Sequence, residues 1–192
     1  MWGAEAIIRS TGGFCCLSEV IIRPTDTLED LKDKVKSATI LGTIQSSLTS
    51  FRYLRKIWKD NAEEERLLGV SLTGIMDHSY MASTSCKDWL IELKEVVRET
   101  NKEWAELLNI NPSKQLTLLK PSGTVSQLVD ASSGIHPRYA KYYIRKVTQD
   151  NKDPLTQMMK DQNIPYQESG DKTYFAFPIK APETAITQDQ IS

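Results

Sequence analysis

The sequence predicts an α/β fold, and two observations carry that prediction. Helical and strand-like patterns alternate several times along the 192 residues, which is typical of domains whose helices cover a sheet. The composition is 40% hydrophobic and 26% charged, as expected for a globular chain with a core of its own.

The amino-terminal part of the chain predicts a strand and then a long helix. The run at 19–24 is rich in β-branched residues and stops at a proline, which favours a short strand. Apolar residues then recur at helical spacing from about 28 to 48. Thr27 precedes this run, and Asp30 lies three residues after Thr27, so the pair forms a near capping box.

The clearest helix is predicted at 86–110, where apolar residues share one face and charges lie opposite. Core packing is the plain interpretation of the two tryptophans on that face. The other predicted elements are a helix from 50 to 60 followed by a solvated helical turn at 63–66, a buried strand within 67–77, strands at 115–119, 139–149 and 172–179, a short helix beginning at Pro154 after an Asp153 cap, and a polar final stretch.

The stretch LLKPSGTVSQL, Leu118–Leu128, places small hydroxyl residues and a glycine between two apolar segments. A strand that stops at Pro121 and restarts as a helix near Val125 leaves a loop whose amides lack intrahelical acceptors. Gly123 permits close backbone approach. With the helix dipole and nearby hydroxyls, the loop predicts an anion site whose natural guest is a phosphate. The candidate phosphate-binding residues are Pro121, Ser122, Gly123, Thr124, Val125 and Ser126.

This loop has another interpretation, because its spacing matches neither the Walker loop nor the Rossmann glycine pattern. The alternative is a capped helix start that follows a strand and binds nothing. From the segment alone, both interpretations remain open.

Composition excludes several classes of function. The net charge is −1, so no basic excess indicates direct nucleic-acid binding. No apolar run approaches the roughly 20 residues that span a bilayer, and no leader resembles a secretory signal. Three cysteines without metal-ligand spacing agree with a reducing, cytoplasmic location. His78 and His136 show no metal-ligand spacing either, so no metal site is predicted.

Three segments together resemble a known family. The run at 120–146 carries a Pro-Ser-Gly-Thr-Val-Ser loop followed closely by Ser-Ser-Gly-Ile-His-Pro. The segments at 14–27 and 63–77 resemble two further stretches of the same family. The chain is similar to the adenosylcobalamin-dependent (class II) ribonucleotide reductases, in particular the ribonucleoside-triphosphate reductase branch.

The resemblance implies a particular architecture. It assigns residues 1–180 to the C-terminal half of the ribonucleotide reductase catalytic barrel, a partial ten-stranded α/β barrel of about one half-barrel. Residues 181–192 would form a truncated tail, and the abrupt ends suggest a piece of a longer protein. A half-barrel leaves strand edges unpaired, so the isolated chain is expected to be poorly stable, to self-associate or to need the missing half.

The resemblance also implies site residues. In the family, a thiyl cysteine and a glutamate base share an Asn-Pro-Cys-Gly/Ala-Glu motif, whose counterpart here is Met-Trp-Gly-Ala-Glu. Glu5 matches the base, whereas Gly3 stands where the radical cysteine belongs, so the chain alone should not reduce ribonucleotides. Cys15 matches one member of the reducing cysteine pair, although the spacing leaves a choice between Cys15 and Cys16.

Cofactor and partners follow from the same resemblance. It implies adenosylcobalamin, a ribonucleoside triphosphate substrate, the missing N-terminal half and a thioredoxin-like dithiol reductant, with no membrane and no direct nucleic-acid partner. The chain would be a fragment of an enzyme that converts ribonucleotides to 2′-deoxyribonucleotides by thiyl-radical chemistry. The alternatives are a non-catalytic nucleotide-phosphate-binding module, one part of a split enzyme, or a generic α/β domain.

Overall fold

A computed structural model describes residues 12–191 of the chain. Three short 3₁₀ turns lie at Ile75–Asp77, Thr84–Cys86 and Gln188–Gln190. The helices and strands, in order, are β1 Cys16–Ile21, α1 Leu28–Ser46, α2 Lys56–Glu65, β2 Leu68–Thr73, α3 Lys87–Leu107, α4 Val125–Leu128, β3 Tyr142–Asp150, α5 Pro154–Asp161, β4 Tyr166–Ser169 and β5 Lys172–Lys180.

A small parallel sheet forms the first layer of the fold. β1 pairs with β2 in parallel, with Cys16 opposite Leu68 and Ile21 opposite Thr73. An extended segment at 115–118 continues the sheet on the other side of β2, through a parallel bridge between Val70 and Thr117. The carboxyl ends of all three strands therefore lie at one edge of the sheet.

Helices α1 and α3 cover one face of this sheet and bury the core. A parallel sheet needs such cover because its strands are apolar. Every residue of β2 is buried, whereas Leu17 on the uncovered face of β1 stays 46% exposed. The core consists of Val20, Ile22, Leu31, Val35, Ala38, Val70, Leu72, Ile75, Met81, Leu93 and Val97.

The predicted start of α1 is confirmed. The side chain of Thr27 accepts from the amide of Asp30, and the carboxylate of Asp30 accepts from the amide of Thr27 at 2.8 Å. This reciprocal pair satisfies two amide donors that a helix start otherwise leaves open. The hydroxyl of Thr27 also donates to this carboxylate at 2.7 Å, and the two bonds from the hydroxyl and the amide of Thr27 lower the pKa of Asp30.

The second sheet is antiparallel and has the order β3-β5-β4. One face packs against α5, where Phe175 is fully buried and Met159 is 9% exposed. The predicted cap of α5 is confirmed, since the side chain of Asp153 accepts from the amide of Leu155 and Pro154 occupies the first turn.

The predicted α/β class is confirmed, whereas the half-barrel stays a prediction. Within residues 12–191 the chain is mixed α/β with three parallel segments and a separate antiparallel sheet, and that part shows no barrel closure. The strands predicted at 139–149 and 172–179 exist, but they pair with each other. They are neighbours in the sheet although α5 and β4 lie between them along the chain.

Several element boundaries were wrong. β1 begins at Cys16 and ends at Ile21, earlier than expected. α2 starts at Lys56, six residues after the predicted position of 50, because the ring of Phe51 packs on Phe14 at 4.7 Å and belongs to the preceding loop. β4 was not predicted at all.

The residues after 180 fold back onto the body of the protein. The amide of Ile186 donates to the carbonyl of Met76, and Arg138 forms a parallel bridge with Thr187. Of the helices in the described range, none has the length and apolar character that crossing a bilayer requires.

Candidate functional site

The loop at 121–126 follows the carboxyl end of the 115–118 segment, as the sequence predicts. Gly123, Thr124 and Val125 are exposed, and their amides donate to no acceptor in the part of the chain that the structure describes. A Cβ added at Gly123 would meet nothing within 4 Å. Three adjacent amides are therefore open to a ligand from solvent.

The loop's serines have a different role from its amides. Ser122 is 3% exposed and Ser126 is fully buried. The amide of Ser126 donates to the Oγ of Ser122 at 2.9 Å, and the Oγ of Ser126 donates back to the carbonyl of Ser122. These hydroxyls fix the shape of the loop, which leaves Thr124 as its exposed hydroxyl.

Helix α4 contributes less to the site than the sequence suggests. It contains four residues, Val125–Leu128, and a helix dipole grows with the number of aligned peptide units. Any attraction for an anion at this loop therefore comes mainly from the three open amides.

A neighbouring segment holds the loop in place. The amide of Ser122 donates to the Oγ of Ser133 at 2.8 Å. The amide of Gly134 donates to the Oγ1 of Thr73 at 2.7 Å, and the amide of Gly74 donates to the carbonyl of Ser132 at 2.8 Å. The segment 132–134 thus joins the loop to the end of β2.

Gly134 is required by this close approach. Its φ is +57°, and a Cβ there would lie 2.6 Å from the carbonyl oxygen of Lys120. Any side chain would push apart the two segments that the hydrogen bonds join.

A buried ion pair fixes the segment 132–134 from behind. Arg138 donates from Nε and Nη2 to the two carboxylate oxygens of Asp77, both at 2.9 Å, and the amide of Ser132 donates to the same carboxylate at 2.8 Å. Arg138 also reaches Asp130 at 2.8 Å. Burial opposes the charged form of Arg138, but hydrogen bonds to Asp77 and Asp130 outweigh it and raise its pKa.

The two adjacent cysteines lie at the other end of the parallel sheet. Burial raises the pKa of Cys15 to about 11, and the neighbouring Cys16 adds to the effect. Burial also raises the pKa of Cys16, while the charge of Arg66 partly offsets it. Both thiols are free and largely protonated at neutral pH, so neither is an activated nucleophile in this chain.

The structure therefore does not bring Cys15 and the loop together. Cys15 precedes the amino end of β1, whereas the loop follows the carboxyl end of the neighbouring segment. With about 3.3 Å of rise per residue, the length of β1 separates them by about 20 Å. The predicted base Glu5 and the glycine at position 3 lie outside the described residues.

Histidines and acidic groups provide no metal centre in the described range. Residues 12–191 contain no cluster of three or more potential metal ligands. Both ring nitrogens of His78 are engaged, with Nε2 at 2.9 Å from the carbonyl of Asp26 and Nδ1 accepting from the amide of Met81. His136 is exposed, and its Nδ1 lies 3.0 Å from the carbonyl of Ser133.

Sequence reasoning missed two ion pairs with structural importance. Lys120 pairs with Glu19 at 3.3 Å across the uncovered face of the sheet, and the Glu19 side chain is only 9% exposed. A glutamate inside an apolar strand was the available signal, since buried carboxylates need partners. Asp77 and Arg138 gave no comparable signal, because they lie 61 positions apart along the chain.

Comparison with known proteins relates the chain to one group of enzymes. It is 31% identical over 135 residues to a probable adenosylcobalamin-dependent ribonucleoside-triphosphate reductase of Dictyostelium discoideum, covering 69% of this chain and 17% of that protein. It is 29% identical over 149 residues to the adenosylcobalamin-dependent ribonucleoside-triphosphate reductase of Euglena gracilis, covering 76% of this chain and 20% of that protein. The chain thus spans at most a fifth of these relatives. No profile of a protein family matches it.

A solved structure shares the fold. The crystal structure of a B12-dependent (class II) ribonucleotide reductase aligns with a TM-score of 0.74 and 22% identity, over 92% of this chain and 29% of that one. The mixed α/β arrangement described above therefore matches part of that larger fold. The chain is a distant homologue, over part of their length, of the adenosylcobalamin-dependent ribonucleoside-triphosphate reductases.

Proposed function

We propose that this chain is a fragment of a ribonucleoside-triphosphate reductase, corresponding to the later half of the catalytic barrel, and that its loop at 121–126 binds the substrate's phosphates. The observation that carries the proposal is the set of three open amides at Gly123, Thr124 and Val125. Backbone amides bind phosphate oxygens without a counter-charge of their own. The relation to reductases indicates which phosphate compound to test first.

The chemistry of the family assigns two further roles. Glu5 is proposed as the base that takes the proton of the 3′-hydroxyl. Cys15 is proposed as one of two thiols that lose their hydrogens and form a disulfide while the 2′-hydroxyl leaves as water. Gly3 carries no sulfur, so the radical cysteine must come from outside this chain, and by the resemblance to the family the second reducing thiol is proposed to come from the missing half.

We assign no described residue to adenosylcobalamin. Both ring nitrogens of His78 are engaged by backbone groups, and we propose that the cofactor binds to another part of a longer reductase. The role proposed for this chain is therefore to hold the substrate and one reducing thiol.

A phosphate series tests the proposed binding. Calorimetric titration of the full chain with cytidine, CMP, CDP and CTP should show affinity that rises with each phosphate. Gly123→Val should weaken CTP binding at least tenfold, because the valine side chain covers the open amides. Its thermal stability should be unchanged, because a Cβ at this position meets no neighbour.

Leu128→Ala provides the matched control. This side chain is 85% exposed and lies in α4, and its amide already donates to Thr124. The control should bind CTP like the unmodified chain. Equal affinity for cytidine and CTP, or equal binding by Gly123→Val, would contradict the proposal.

A non-catalytic nucleotide-binding module is the second candidate. It is favoured by the separation of about 20 Å between Cys15 and the loop, estimated from strand rise, and by the protonated state of Cys15. Both candidates predict CTP binding. Only the reductase fragment predicts that deoxycytidine triphosphate forms when adenosylcobalamin, a dithiol and the N-terminal half of a related reductase, extended through its Asn-Pro-Cys motif, are added.

A further inference from the structure

A cavity lies at the amino end of the parallel sheet, away from the loop at 121–126. It has a volume of about 240 Å³ and opens beside the two thiols. The ring centroid of Phe14 lies 4.7 Å from that of Phe51 and 5.1 Å from that of Trp58, so aromatic groups form one wall. The lining residues are Phe14, Cys15, Cys16, Gln45, Ser46, Leu48, Thr49, Phe51, Ala62, Arg66 and Leu67.

Arg66 is the charged residue in this lining. It ends α2 in a left-handed conformation with φ +46° and is 9% exposed. Its Nη1 donates to the carbonyl of Ser46, the last residue of α1. Its buried Nε has no hydrogen-bond partner, and no carboxylate in residues 12–191 forms an ion pair with it.

A buried guanidinium without an ionic partner, as Arg66 is within residues 12–191, is energetically unfavourable. Buried charges in proteins are normally paired and fully hydrogen-bonded, because removing them from water is costly. The carbonyl of Ser46 and the carboxyl end of α1 compensate Arg66 only in part. An anion in the cavity would supply the missing counter-charge.

We propose that this cavity binds a small carboxylate with an apolar body. A carboxylate matches a guanidinium with two parallel hydrogen bonds, and the aromatic and aliphatic walls suit an apolar group. A phosphate dianion would carry a second negative charge that no other cation among the described lining residues balances. The volume is below the roughly 300–1,000 Å³ of drug-sized sites, so the ligand should be about the size of one ring with an acid group.

This site is independent of the proposed phosphate loop, since the two lie at opposite ends of the sheet. The carboxylate has two possible sources, a free small acid or the carboxyl terminus of a peptide that ends in an apolar residue. Both present the same group to Arg66.

Thiol protection tests the proposal. Cys15 and Cys16 line the cavity and Cys86 does not, so the rate at which iodoacetamide modifies each cysteine, followed by peptide mass spectrometry, reports occupancy with an internal control. Phenylacetate at ten times its dissociation constant should slow modification of Cys15 and Cys16 about tenfold, by mass action. The rate at which Cys86 is modified should not change. Phenylacetamide, which lacks the carboxylate, should protect neither Cys15 nor Cys16.

Peptide and variant arms complete the experiment. Stronger protection by N-acetylphenylalanine than by phenylacetate would indicate a peptide terminus, and the reverse order a free acid. Arg66→Met should abolish protection, Arg66→Lys should weaken it, and Arg98→Met, on the exposed face of α3, should leave it intact. If Arg66→Met fails to fold, the comparison of acid with amide on the unmodified chain decides. Equal protection by phenylacetate and phenylacetamide, or none by either acid, would overturn the proposal.

Discussion

Removing the carboxylate of Asp77 should destabilise the protein more than any exposed substitution. The side chains of Asp77 and Arg138 are 2% and 4% exposed, and Asp77→Ala removes two hydrogen bonds from Arg138 and one from the amide of Ser132. It leaves a buried guanidinium whose remaining ionic partner within residues 12–191 is Asp130. Breaking a buried pair by removing one partner costs about 3–5 kcal/mol.

Urea denaturation followed by tryptophan fluorescence measures this loss. With a slope of about 2 kcal/mol per molar urea, the midpoint should fall by about 1.5–2.5 M. Glu183→Ala is the matched control, because its partner Lys141 lies at 2.7 Å on the surface and both side chains are more than half exposed. Exposed pairs contribute about 0–1 kcal/mol. If Asp77→Ala lost no more stability than Glu183→Ala, the buried pair would not be holding the segment 132–134.

Three other predictions concern separate parts of the chain. Gly134→Ala should lower the free energy of unfolding by about 1–3 kcal/mol, because φ at this residue is positive and the carbonyl of Lys120 lies close. Gly123→Ala is the control: its added methyl group meets no neighbour, so the same urea titration should show a change of less than about 0.5 kcal/mol. Thr27→Ala should cost about 0.5–2 kcal/mol through loss of the α1 cap, and a normal melting temperature would show that the cap is dispensable. Because the folded pKa of Cys15 is raised to about 11, its thiol stabilises the fold fully below about pH 8.5, the unfolded value, and this contribution is lost as pH rises through 11. Cys15→Ser should flatten the decline of stability between pH 8.5 and 11; an unchanged decline would contradict the assigned shift.

Local signals in the sequence were sufficient for most helices. The capping box of Thr27 and Asp30 fixed the start of α1, and one-sided apolar spacing located α3. α2 was placed too early because Phe51 fits a helical pattern but packs on Phe14 instead. Ring contacts between distant segments cannot be read from spacing along the chain.

Pairing between strands was less predictable than the strands themselves. The sequence located both long strands of the second sheet, yet the family resemblance suggested a half-barrel of parallel strands, whereas β3 and β5 are antiparallel. β4 is four exposed residues long, so it carries no apolar pattern to detect.

The candidate site was located by its small residues but not explained by them. The loop lies where the sequence predicts, and its serines turned out to stabilise its shape from inside. The ion pair of Asp77 and Arg138 joins residues 61 positions apart. No local rule predicts such a pair, because the fold alone brings its members together.

The most direct test of the account is to observe the loop amides while a triphosphate is added. In a ¹⁵N-labelled sample titrated with CTP, the amide resonances of Gly123, Thr124 and Val125 should shift together and saturate, while that of Leu128 moves little. Saturating shifts confined to other parts of the chain, with these three amides unmoved, would contradict the claim that this loop binds a nucleotide's phosphates.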